Sequence, residues 1–238
     1  MMHRTNFFLP ALGAVAFVGF GLFLLALPRR QLLVSPPTLP PVSLLTPLQA
    51  KIVAGAKAQI GDAYDASYRV LPYPDGDPPV GEGACTDVIV RSLRAGGYDL
   101  QRLVHEDMAA HWDQYPHRWG LAGPDPSIDQ RRVPNLACFF VRHGQVLTTE
   151  VTSKALPQWQ PGDVVCWRMP GGGDHTGLIS DRRDLGGVPL VIHNMGRCEE
   201  QDVLGQWPIT GHYRYPASLV VFSGVIRHNR KSGPVHHA

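Results

Sequence analysis

The chain has 238 residues, a formal net charge of +2, 44% hydrophobic residues and 18% charged residues, a composition that suits one globular domain with an added segment rather than a disordered chain. The near-neutral balance, with no long basic run carrying interleaved aromatics, argues against nucleic acid as a partner. Four cysteines, at 85, 138, 166 and 198, form no Cys-x-x-Cys pair, which disfavours a zinc ribbon or a thioredoxin-type site.

Phe7 to Leu27 is an apolar run without a charged residue, closed by Pro28, Arg29 and Arg30. It is long enough to cross a bilayer as a helix. Leu25-Ala26-Leu27 is a poor cleavage site, so residues 1–30 read as an uncleaved membrane anchor in preference to a signal sequence. Residues 31–46 are a proline-rich linker, extended and fairly stiff. Residues 47–226 are expected to form the domain, and residues 227–238 a flexible tail.

Thr46 as N-cap, Pro47 at the first helical position and Gln49 as the return partner of a capping box start a helix. Leu48, Ile52, Ala56 and Ile60 line one face of it, and Gly61 ends it. A loop rich in Tyr, Asp, Pro and Gly follows, with Tyr64, Tyr68 and Tyr73. A second helix starts at Cys85, carries Val88, Ile89 and Leu93 inward, and stops at Gly96-Gly97. A third runs from the N-cap Asp99 to about Trp112. Residues 113–158 are interrupted by Pro116, Pro124, Pro126 and Pro134, and Phe139-Phe140-Val141 fits a short strand or a helix. Strands are then predicted at Val164–Trp167 after the Pro161-Gly162-Asp163 turn, at His175–Ser180, at Val188–His193 and at Leu219–Ile226.

Cys85 at a helix start meets unpaired N–H groups and the positive end of the dipole, so its thiol is expected to ionise more easily than a free cysteine. His175 opens one strand and His193 closes the next. Antiparallel pairing would make the two neighbours at one end of the sheet. The three residues can then act as nucleophile, base and orienting group. Backbone N–H groups at the helix start are the candidate oxyanion hole, with Tyr64 as a side-chain donor. Asn194 is an alternative orienting group for His175. Asp87 and Arg91 read as a helix-surface pair, or Asp87 contacts a substrate amine. Arg131 and Arg132 either clamp a substrate carboxylate or pair with Asp129. Cys166 reads as core, and Cys138 and Cys198 as structural or incidental. His105, Asp107 and His111 lack a recognised ligand spacing, and a solvated or capping role is preferred to a metal. No cofactor is expected. The oligomeric state stays open.

Seven segments carry a resemblance to a bacterial family of unknown function, number 1287. They are Gly83-Ala84-Cys85-Thr86-Asp87-Val88, Leu103-Val104-His105-Glu106-Asp107-Met108, Arg131-Arg132-Val133-Pro134-Asn135-Leu136, Pro161-Gly162-Asp163, His175-Thr176-Gly177, His193-Asn194 and Ile209-Thr210-Gly211-His212-Tyr213-Arg214-Tyr215. The order of cysteine helix, Pro-Gly-Asp strand, His-x-Gly strand and His-ending strand also resembles the NlpC-type cell-wall cysteine peptidases of the papain-like superfamily. That resemblance implies an α+β fold with helices packed on an antiparallel sheet, and a Cys-His-His site at Cys85, His175 and His193. It implies cysteine peptidase or amidase activity on peptidoglycan peptides in the periplasm or cell envelope, with residues 7–27 holding the chain to the inner membrane. Secretion after signal cleavage is the alternative location. NlpC-type enzymes usually carry Asp-Cys-Ser-Gly, whereas Ala84 precedes the cysteine here and Thr86-Asp87 follow. Three other readings share these residues: a non-catalytic cell-wall-binding module, a thiol acyltransferase, and a metal-dependent hydrolase using some of the 11 histidines.

Overall fold

The structure, a computed structural model, describes residues 45–217. The predicted membrane span, most of the linker, the strand expected at 219–226 and the tail lie outside the described residues. Among the described residues no helix is long and apolar enough to cross a membrane.

Helix α1 (Pro47–Lys57) begins with the full capping box, Thr46 N–H to Gln49 Oε1 at 3.0 Å and Gln49 N–H to Thr46 Oγ1 at 3.2 Å. Two short strands, β1 (Ala63–Tyr64) and β2 (Glu82–Gly83), pair in parallel and bring the tyrosine loop alongside the segment that enters the cysteine helix. Helix α2 (Cys85–Ala95) buries Val88, Ile89 and Leu93, and ends at Gly96 with Gly97 in the left-handed region (φ +96°). Helix α3 (Leu100–Ala110) is capped by the Asp99 carboxylate, and a 3₁₀ turn at Trp112–Gln114 continues from it.

The unassigned stretch holds a helix, α4 (Val133–His143). Pro134 lies in its first turn, where a missing N–H breaks no helical hydrogen bond. A proline that looks like a breaker in sequence therefore marks a start here. Phe139 and Phe140 face the core from α4.

Strands β3 (Gln145–Val146), β4 (Val164–Arg168), β5 (Asp174–Arg183), β6 (Pro189–Asn194), β7 (Cys198–Gln201) and β8 (Ile209–Arg214) make one antiparallel sheet in the order β3-β8-β4-β5-β6-β7. Three of them, β3, β7 and β8, were not foreseen as strands. The mixed helix and antiparallel-sheet class is as expected.

Side chains alternate across the sheet. Val164, Cys166, Leu178 and Ile192 join the helices in the larger core, with Ile52, Ile89, Leu93, Leu100 and Phe140. Val165, Trp167, Ile179 and Val191 face the other way, under a lid of Trp159, Val203 and Leu204. His212 and Arg214, which carried no role in sequence, lock β8 to the start of β4. Arg214 reaches the buried Asp163 through Nε at 2.7 Å and Nη2 at 2.8 Å, and His212 Nε2 lies 3.0 Å from the same carboxylate. The His212 ring stacks 3.6 Å from Trp159.

Candidate active site

Helix α2 has no side-chain cap at Ala84. Asp87, one turn in, supplies the capping instead, its Oδ2 accepting the Ala84 N–H at 2.6 Å. The same carboxylate pairs with Arg131, both side chains 2% exposed. Arg131 also donates to the carbonyls of Ser67 at 2.7 Å and Asp65 at 2.9 Å. Asp87 therefore does not pair with Arg91, which binds Asp62 and Asp77. Arg131 does not pair with Asp129, which meets His105 Nδ1 at 2.9 Å. Both residues are committed inside the protein, so neither is free to clamp a substrate. Arg132 lies 4.0 Å over the Trp119 ring and is likewise not paired with Asp129.

Cys85 is 6% exposed at the first position of α2. Burial pushes its thiol up to about 11, against the backbone N–H groups of Thr176, Thr86 and Cys85 itself, which favour the thiolate. The expected easy ionisation is thus reversed. Desolvation penalises the charged form more than a helix terminus rewards it. Thr176 is available to the sulfur because the β5–β6 ladder, Leu178 opposite Ile192 and Ile179 opposite Val191, stops short of it. The thiol thus lies at the Thr176 N–H, one residue along β5 from His175.

His175 and His193 meet as the hairpin argument requires, with His175 Nε2 and His193 Nδ1 2.9 Å apart. Gly177 makes room for this. A Cβ there would come within 2.6 Å of Val191 Cγ1 and 3.1 Å of His193 Cβ. Trp167 stacks on the His175 ring at 5.7 Å, and Trp207 stands edge-on to it. Burial, then the neighbouring His193, lowers His175 to about 4, and burial also lowers His193. Both rings are therefore neutral at pH 7. Among the described residues Nδ1 of His175 has no hydrogen-bond partner, and no hydrogen bond joins either ring to Cys85.

Asn194 does not orient His175. Its Nδ2 donates to the carbonyls of Asp62, Ala63 and Gly83, at 3.2, 3.3 and 2.9 Å. It fastens the end of β6 to the tyrosine loop and to the residue before Ala84-Cys85. Tyr64 is 44% exposed, and its phenol is raised by burial and then by the proximity of Cys85. Gln201 belongs to the same cluster, Oε1 2.9 Å from His193 Nε2. Sequence reasoning missed it because its strand was not foreseen.

All four cysteines are free. Among the described residues no group of three or more His, Cys, Asp or Glu is arranged to hold a metal ion. His111 and His143 both contact Asp107, at 3.1 and 3.0 Å, but that carboxylate is already filled by Arg142 Nε at 2.6 Å and the Tyr115 hydroxyl at 2.6 Å.

Fold and site together define an α+β protein with a buried thiol at a helix start, held by the backbone N–H of Thr176, and a pair of hydrogen-bonded histidines that begins at the preceding residue, His175. The chain belongs to the family described as a domain of unknown function, DUF1287, which matches residues 53–215. It is similar to the uncharacterized protein YijF of Escherichia coli K12, 48% identical over 183 residues that span 76% of this chain and 87% of that protein. Among solved structures it is similar to NlpC1 from Trichomonas vaginalis, at 14% identity and a TM-score of 0.40, over 70% of this chain and 44% of that one. It is also similar to an N-acetylmuramoyl-L-alanine amidase from Bacteroides uniformis, at 13% identity and a TM-score of 0.43, over 70% of this chain and 98% of that one. The chain thus spans less than half the length of NlpC1. Both structural likenesses are too distant to bear on activity.

Proposed function

We propose that the chain is a thiol hydrolase that cleaves amide bonds in cell-wall peptides, with Cys85 as nucleophile and His175 as base. The observation that supports this reading is the His175–His193 pair, one residue along β5 from the Thr176 N–H that bonds the Cys85 sulfur. The peptidoglycan substrate rests on the resemblance of the cysteine, His-x-Gly and terminal His segments to NlpC-type peptidases. With residues 7–27 as an anchor, the domain would work on the envelope side of the inner membrane.

The neutral ground state sets the order of events. Nδ1 of His175 takes the Sγ proton as the sulfur attacks the substrate carbonyl, so charge forms only when the substrate has displaced water. Backbone N–H groups of Cys85 and Thr86 hold the developing oxyanion, with the Tyr64 hydroxyl as a further donor. The imidazolium then protonates the leaving amine and the thioester forms. A water, deprotonated by His175, attacks the thioester carbon and releases the acid and the free thiol.

The test is a soluble chain beginning near Val34, wild type and Cys85→Ala, incubated with purified peptidoglycan, with fragments read by mass spectrometry. Fragments from wild type alone support the reading, and their masses name the bond. Equal binding by both with no fragments sinks it in favour of a tethering module. Transfer of the acyl group to an added amine would make it an acyltransferase.

A further inference from the structure

The hydrogen-bonded histidines do not end at His193. In the β6–β7 ladder His193 lies opposite Glu199, and Val191 opposite Gln201. Glu199 and Gln201 are two residues apart on β7, so both project to the face that carries His193. His193 Nε2 is 2.9 Å from Gln201 Oε1, and Gln201 Nε2 donates to the Glu199 carboxylate. Four side chains from three adjacent strands thus form one line, from Glu199 through Gln201 and His193 to His175.

Donor and acceptor chemistry fixes the direction of every bond in that line. A carboxylate can only accept, so the Gln201 atom turned to Glu199 is the amide nitrogen. The Gln201 carbonyl oxygen then faces His193 and can only accept, which places a hydrogen on His193 Nε2. A neutral His193 with that hydrogen has its lone pair on Nδ1. His175 Nε2 must therefore donate to it across the 2.9 Å contact. A neutral His175 with a hydrogen on Nε2 has its lone pair on Nδ1, the atom left without a partner. Reversing the Gln201 amide would reverse every bond. His175 would then carry its hydrogen on Nδ1 and offer no base there.

We propose that Gln201, oriented by Glu199, is a positioning residue that sets the tautomers of both histidines and so makes Nδ1 of His175 the basic atom. Its catalytic meaning rests on the thiol hydrolase reading, whereas the tautomers themselves do not. The packing of Trp167 and Trp207 supports it, because these two rings, 5.7 Å apart, lie against both imidazoles and restrict their turning. The exposed Glu199 supports it too. Among the described residues Glu199 and His193 are the only hydrogen-bond partners of the Gln201 side chain.

The test is nitrogen-15 spectroscopy of histidine-labelled protein at pH 7, without substrate, the two rings being assigned with His175→Gln and His193→Gln. Wild type is expected to show each ring as a single Nε2–H tautomer. Gln201→Leu removes the acceptor and is expected to give mixed tautomers at both rings. Gln201→Glu made together with Glu199→Gln, so that an amide again meets a carboxylate, keeps an acceptor for His193 and is expected to retain the wild-type forms. Glu199→Ala, a change on the exposed edge that leaves the core intact, frees the amide to turn over and is expected to give a mixture as well. Wild-type His175 carrying its hydrogen on Nδ1 would overturn the proposal. So would wild-type tautomers persisting in Glu199→Ala and in every folded Gln201→Leu sample. If peptidoglycan is not cleaved while the spectra come out as expected, only the hydrolase reading fails. Where wild type does cleave, Gln201→Leu is expected to lose part of the roughly 10²–10⁴-fold that a positioned base supplies.

Discussion

Arg131 closes on Asp87 through two parallel bonds, Nε to Oδ1 at 3.1 Å and Nη2 to Oδ2 at 2.9 Å. The pair is buried, and it reaches in both directions. Asp87 caps the helix that presents Cys85, and Arg131 holds the carbonyls of Asp65 and Ser67 beside Tyr64. Arg131→Ala would leave a buried carboxylate unpaired. Removing one partner of such a pair costs about 3–5 kcal/mol. We expect a loss of that size in denaturant unfolding, and Asp87→Ala should behave similarly. A loss under about 1 kcal/mol, the value of an exposed pair, would mean that the contact is solvated in solution.

The buried histidines predict a pH dependence of stability. His175 falls from 6.5 to about 4 on folding, first through burial. Between those values the unfolded chain holds more protons than the folded one, so stability rises with pH across that window. It is therefore full above about 6.5 and drains away as pH falls toward 4. His193, also lowered by burial, adds in the same direction. Asp107 is also lowered on folding, so it acts with the same sign in a more acid window. Burial would raise it, but hydrogen bonds from Arg142, Tyr115 and His143 hold it below the usual range. Its contribution is lost only at more acid pH, below 3.8. Unfolding midpoints from pH 7.5 to 4.5, compared with those of His175→Gln, measure the first effect. A flat profile in wild type would contradict the buried neutral pair.

The thiol gives a second pH prediction. Cys85 is held up at about 11, mainly by burial. At pH 7 the free protein should carry no thiolate–imidazolium pair. The ultraviolet difference spectrum between wild type and Cys85→Ala should then show no thiolate band until the solution is strongly alkaline. A band already present at neutral pH would restore the easily ionised thiol expected from the helix start alone.

What the sequence disclosed and what it hid follow from the range of the interactions. The α1 capping box, the Gly96-Gly97 stop and the Pro161-Gly162-Asp163 turn are local, and each lies where its residues place it. The meeting of His175 and His193 was legible because one short hairpin sets it. The partner of Asp87 was not legible. Arg131 is 44 positions away, while Arg91 stands at the attractive four-residue spacing. Strand β8 was missed because Gly211, His212 and Arg214 blur its alternation. That glycine is needed where the Tyr213 side chain lies back along the strand, its hydroxyl 2.3 Å and its ring 2.5 Å from where a Cβ would be. The thiol's ionisation depends on burial, which no local pattern reports.

Gly177 supplies the next prediction. A methyl group at this position would press on Val191 Cγ1 at 2.6 Å, and on His193 Cβ at 3.1 Å. Overpacking of this kind costs about 1–3 kcal/mol. Gly177→Ala should cost that much stability and should also displace His193 from His175. Activity should therefore fall further than the loss of folded protein explains. Unfolding curves combined with turnover per folded molecule make the comparison. Turnover unchanged per folded molecule would show that the histidine pair tolerates the shift.

Asn194 separates fastening from orienting. Its amide nitrogen serves three carbonyls, those of Asp62, Ala63 and Gly83. An unsatisfied buried polar group costs about 1–3 kcal/mol. Asn194→Ala should therefore lower stability by about 2–3 kcal/mol, loosen the approach of the tyrosine loop to Cys85, and leave the His175 tautomer unchanged. Asn194→Asp is the sharper variant. A carboxylate cannot donate to carbonyls, so it should be no better than alanine, and worse if the charge stays buried. Were Asn194 instead an acceptor for an imidazole N–H, aspartate would take over that task and preserve turnover. Unfolding midpoints and turnover of the two variants, side by side, decide between the roles.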